Sequence, residues 1–128
     1  MTFRFINLAA SVVCAILGVV LIFLPDLIYF IFSLTGDAVG DFLAKRAGML
    51  FFGFATLLYL SRNTQDLNAR SAISWGLVVA MGGLAMLGVY EYFRGYVGAG
   101  IWFAIAAEIS FTIGYIYVLR SDQRLGKS

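Results

Sequence analysis

GAGIWFAIAAEISFTIGYIYVL, residues 98–119, is the stretch whose reading decides the fold. Its 22 residues are apolar nearly throughout and carry one ionisable group, Glu108, midway along. A helix of that length crosses the ~30 Å hydrocarbon core of a bilayer, which places Glu108 near the midplane. A charge at that depth costs at least ~2.5 kcal/mol. Either the carboxyl is protonated and bonds Ser, Thr, Tyr or a backbone carbonyl, or another part of the chain compensates it.

The composition agrees with a membrane reading. The chain has 128 residues, 62% of them hydrophobic and 12% charged, with a mean hydropathy of +0.92. Soluble domains run at about 45–50% apolar and about 25% charged. Cys14 is the single cysteine, so neither an internal disulfide nor a CxxC site is expected. Histidine is absent, which removes bis-histidine haem and the commonest metal ligand. No cofactor, metal or catalytic set is therefore expected. The net charge of +2 offers nothing to nucleic acid.

Working outward from the fourth span, three more are expected, at 5–24, 41–60 and 73–92. The first is interrupted only by Asn7 and Ser11 and ends at Pro25-Asp26. The eight residues LIYFIFSL, 27–34, are too short to span and read as an interfacial segment with its aromatics at headgroup level. Lys45 and Arg46 fall inside the nominal second span. They either snorkel to the headgroups or, for Arg46, turn inward to a buried carboxylate. Residues 62–72 read as the polar loop and Arg120–Ser128 as a polar, basic tail. Glu91 and Arg94, three apart, are expected to form an exposed ion pair. The expected fold is all-α, a single integral-membrane four-helix bundle with one interfacial segment after its first helix.

Four spans put both termini on one side, together with Arg4, Arg62, Arg70, Arg120, Arg124 and Lys127. The other side holds Arg94, with Lys45 and Arg46 if they snorkel. The positive-inside rule then predicts cytoplasmic termini in a bacterial inner membrane.

Small residues recur at four-residue spacing, which lets helix backbones approach closely. Ala10, Cys14 and Gly18 form one such stripe, Gly76 and Ala80 another, and Ala106, Ser110 and Gly114 a third. On a helical wheel Glu108, Thr112 and Tyr115 share a face that lies roughly opposite the third stripe. Protein is therefore expected on both sides of this helix, or a second subunit against the stripe. By rise along the helices, Glu108 lies about 15 Å below Gly98 and Arg46 about 7–8 Å below Asp41. Two long side chains could close that difference, so Arg46 is a candidate partner for Glu108.

The plan resembles small four-span bacterial membrane proteins of a domain family of unknown function. The resemblance rests on Pro25, on the segment Leu27–Leu34 and on Arg46-Ala47-Gly48 at the start of the second span. It implies the four-span fold and supplies no activity.

Two functions are weighed from the residues. The first is an accessory or assembly subunit of a larger inner-membrane complex, with the bilayer and other subunits or further copies of the chain as its partners. The alternative is a small oligomeric transporter, channel or lipophilic-ligand binder centred on Glu108 and paired to Arg46. An enzyme is less favoured, because no nucleophile, metal set or cofactor motif accompanies the glutamate.

Overall fold

Thr2, Asp37 and Asp66 each set the start of a long helix. Each stands just outside its first turn in an extended conformation, and its side-chain oxygen accepts a backbone N–H that the helix leaves unpaired. The acceptances are from Phe5 at 3.3 Å, Gly40 at 2.6 Å and Asn68 at 3.0 Å. The computed structural model describes residues 1–125, which form five helices: α1 (Phe3–Phe23), α2 (Pro25–Phe32), α3 (Ala38–Ser61), α4 (Leu67–Phe93) and α5 (Ile101–Leu125). No strand occurs among the described residues. All but α2 are long and apolar enough to cross a bilayer, which marks a multi-pass membrane protein. Large apolar side chains cover their outer faces, Phe103 being 82% exposed, as lipid rather than water would favour.

The spans pack as two antiparallel hairpins, α1 with α3 and α4 with α5. In the first, Asn7 meets Ser61, Ser11 meets Ala55 and Gly18 meets Gly48, in reverse chain order. A Cβ at Gly48 would lie 2.7 Å from Ile22 Cγ1 and 3.0 Å from the Gly18 carbonyl. The two backbones can cross this closely only because neither residue has a side chain. In the second hairpin Gly88 lies against Ile101 and Ile105, and Gly82 against Thr112. The hairpins are joined more thinly, through α1 against α5.

At the end carrying α2, Pro25 occupies the first turn of that short helix, where its missing N–H costs nothing. Tyr29 of α2 donates its hydroxyl to Asp41 at 3.0 Å, tying α2 to the start of α3. Desolvation first, and then this carboxylate, hold the Tyr29 hydroxyl above the usual tyrosine range, so it remains a donor. α4 ends in a Schellman turn: Gly95 adopts φ 73°, and the Tyr96 N–H returns to the Glu91 carbonyl. The following Gly98 N–H donates to the Phe32 carbonyl at 2.7 Å, and a Cβ on Gly100 would run into the Ile31 carbonyl. The end of α2 therefore cradles the turn from which α5 starts.

The structure changes several sequence expectations. Residues 67–72, expected in a loop, are the first turns of α4, because Asp66 caps them and Arg70 finds a partner on α5. Residues 120–125, expected in a tail, continue α5, whose Asp122 is that partner. Lys127 lies outside the described residues. Glu91 and Arg94 do not pair. Arg94 instead donates to the Tyr96 hydroxyl at 3.1 Å and lies beside the Tyr90 and Tyr96 rings.

Candidate functional site: a carboxyl in the seam between two hairpins

Because α1 and α5 join the hairpins over part of their length only, a crevice of about 150 Å³ is left where all four spans converge. Ala10, Val13, Cys14 and Leu17 of α1 form one wall, and Phe51 of α3 adjoins them. Met81 and Leu84 of α4 and Ala104, Ala107 and Phe111 of α5 form the other, together with Glu108. Glu108 is the one ionisable oxygen-bearing side chain in this lining. It is half-buried, and among the described residues its carboxylate has no hydrogen-bond or ion-pair partner. The small side chains of Ala10, Cys14, Ala104 and Ala107 make the room, and the aromatic rings and Met81 make it apolar. Such a site can accept a hydrogen bond or a positive charge from a compact guest whose remainder is hydrocarbon.

Arg46 is not brought to Glu108. It is exposed near the start of α3, with its guanidinium 5.5 Å from the Phe42 ring centroid and Lys45 beside it. Counting residues gives the depth of a side chain but not the direction in which it points, and here the direction is outward.

Glu108 and Tyr115 do share the face of α5 that looks toward α1, but they serve different ends. Tyr115 is fully buried and donates its hydroxyl to Asn7 Oδ1 at 2.9 Å. Asn7 Nδ2 in turn donates to Ser61 Oγ at 3.3 Å, and Ser61 Oγ donates to the Leu58 carbonyl. This polar bolt crosses α5, α1 and α3, and Ser11 reinforces it by donating to the Ala55 carbonyl at 2.8 Å. Thr112 turns toward Gly82 of α4 and donates to the Glu108 backbone carbonyl at 2.8 Å, not to its carboxylate. Asn7 and Ser11 were visible in the sequence as the only interruptions of the first apolar run; their partners were not.

One further polar lock lies at the end bearing residue 1. Arg70 of α4 engages Asp122 of α5 through two bonds, Nε to Oδ2 at 2.9 Å and a terminal nitrogen to Oδ1 at 2.8 Å. Its guanidinium also lies 4.7 Å from the Phe3 ring centroid of α1. This is the one ion pair among the described residues. Nothing in the sequence signals this pair, since its two residues lie in stretches that read as loop and tail.

The small-residue stripes divide. Ala10, Cys14 and Gly18 are buried, as is Gly114, whose Cβ position abuts Ile6 of α1. Ala80 is half-buried, whereas Gly76, Ala106 and Ser110 face outward. Ser110 satisfies its hydroxyl on the Ala106 carbonyl of its own helix at 2.7 Å.

The arrangement defines a four-span helical membrane protein with an interhelical crevice built around an acidic side chain. The chain belongs to the family DUF8292, a domain of unknown function, whose model matches residues 8–128. No curated protein and no solved structure matches the chain.

Proposed function

We propose that this chain is a bacterial inner-membrane protein with cytoplasmic termini that binds a small lipophilic donor, best a compact amine, against Glu108. The observation that carries the reading is the Glu108 carboxylate, unpartnered among the described residues, in a crevice shared by all four spans. Ionisable groups inside membranes mark binding and transport sites by default. A cavity of ~150 Å³ suits a benzene-sized guest. The crevice also lies at the seam between two hairpins, as midplane sites of transporters lie between halves that rock against each other. Rocking at the α1–α5 seam would admit and release the guest.

Thermal-shift titration in detergent tests this with benzylamine and with toluene, a neutral arene one heavy atom smaller. Benzylamine should raise the melting temperature of the wild-type protein in proportion to occupancy, and toluene less. Glu108→Gln should remove the benzylamine advantage and keep the toluene response. Ala107→Phe, which fills the crevice, should abolish both. Equal responses of wild type and Glu108→Gln to benzylamine would leave the glutamate a structural residue.

A second reading, an accessory or assembly subunit, is favoured by the outward small residues. A Cβ at Gly53, Gly76 or Gly83 would meet nothing within 4 Å, and Ala106 and Ser110 are exposed. Another membrane helix could approach these faces closely. It predicts a stoichiometric partner on purification in mild detergent, lost in Gly76→Leu.

A further inference from the structure

A second and larger cavity, of about 410 Å³, opens at the end of the bundle that carries residue 1. It is bounded by the start of α1, the α3–α4 loop, the start of α4 and the end of α5. Among the described residues three arginines line it, Arg4, Arg62 and Arg70, against one carboxylate, Asp122. Arg70 saturates that carboxylate with two bonds and is backed by the Phe3 ring. The pair is thus a fixed, internally neutral wall. Among the described residues Arg4 and Arg62 form no ion pair. Arg62 is held in place, stacked 3.8 Å from the Tyr59 ring centroid with one nitrogen donating to the Tyr59 carbonyl. Its other donors stay unassigned among the described residues. Asn63 and Thr64 add amide and hydroxyl groups to the same wall. Arg120 and Arg124 stand on an adjoining surface, also outside any ion pair among the described residues, and raise the positive potential at this end.

Planar guanidinium groups with free donors match phosphate oxygens in charge and geometry. The ends of spanning helices lie where lipid phosphates lie, and basic pockets between such ends hold anionic headgroups. We propose that this cavity is a phosphate-binding site in which Arg4 and Arg62 hold an anion's phosphate against the Arg70–Asp122 wall. The phosphate is that of an acidic phospholipid headgroup or of a soluble phosphate ester, since the recognition chemistry is the same. The site is separate from the Glu108 crevice and does not depend on it.

Native mass spectrometry of the full chain separates the sources. The wild-type protein is titrated with phosphatidylglycerol, with phosphatidylcholine of the same acyl chains, and with soluble glycerol 3-phosphate. At about fivefold per arginine, Arg4→Gln/Arg62→Gln should weaken binding of the anionic ligand roughly 25-fold. Arg94→Gln, at the opposite end, should leave it unchanged. Arg4→Gln alone, which removes an exposed side chain with no described bond, should show the smaller step even if the double variant folds poorly. Preference for phosphatidylglycerol identifies a headgroup site. Glycerol 3-phosphate binding that is lost in the double variant, without lipid preference, identifies a soluble ester. Either supports the proposal. It is overturned if the folded single and double variants bind all three ligands as the wild type does, or if Arg94→Gln weakens binding equally.

Discussion

Asp122→Ala is expected to lower the stability of the protein in detergent by about 3 kcal/mol, the low end of the range for breaking a buried ion pair. The side chain is 7% exposed and takes both donors of a bidentate arginine. Removing it leaves the Arg70 side chain, 18% exposed, with the Phe3 ring as its one remaining partner among the described residues. The cost is held to the low end because Arg70 borders the cavity at the end of the bundle and can recover some hydration there. The same change should fray α5 from Asp122 onward and free the first turn of α4, which the pair holds together. A denaturant or SDS unfolding curve gives the magnitude, and amide exchange over residues 67–72 and 119–125 should rise with it. Arg70→Met/Asp122→Leu, which replaces the pair with apolar groups, should recover much of the loss. If it does not, the pair contributes geometry rather than charge compensation.

Gly48→Leu should be comparably damaging, by roughly 2–3 kcal/mol, as overpacking of a closed interface is. The added Cβ would meet Ile22 at 2.7 Å, the Gly18 carbonyl at 3.0 Å and Leu21 Cβ at 3.2 Å. The second of these is backbone and cannot turn away. The α1–α3 crossing must therefore widen, which also strains the Ser11–Ala55 bond and the Asn7 bolt further along the same hairpin. Gly53→Leu on the same helix meets open space and should cost far less. The difference between the two variants isolates the crossing from the effect of placing leucine in α3.

How much of this was legible in the chain depends on what each signal encodes. The apolar runs around Asn7 and Glu108 carry their own evidence, because crossing hydrocarbon needs length and apolarity, and both are local properties. The helix ends did not, since α4 and α5 extend past the hydrocarbon on the strength of the Asp66 cap and of an ion pair between residues 52 apart. Glu108 was legible as the lone ionisable group of its run. Its surroundings were not, because a helical wheel assigns a face to one helix and says nothing of the gap that its neighbours leave. The same wheel grouped Glu108 with Tyr115, yet one opens on the crevice and the other bonds Asn7. Arg46 shows the converse: the right depth combined with an outward direction.

Site mapping asks whether a lipophilic donor occupies the seam beside Glu108. The membrane-embedded protein is irradiated with a benzylamine-type probe bearing a diazirine, and the adducts are located by peptide mass spectrometry. Labelling is expected at Leu17, Ala104, Glu108 and Phe111, competed by unlabelled benzylamine and lost in Ala107→Phe. Adducts confined to the outward residues Met86, Phe103 and Ile113, indifferent to competitor and to Ala107→Phe, would contradict it.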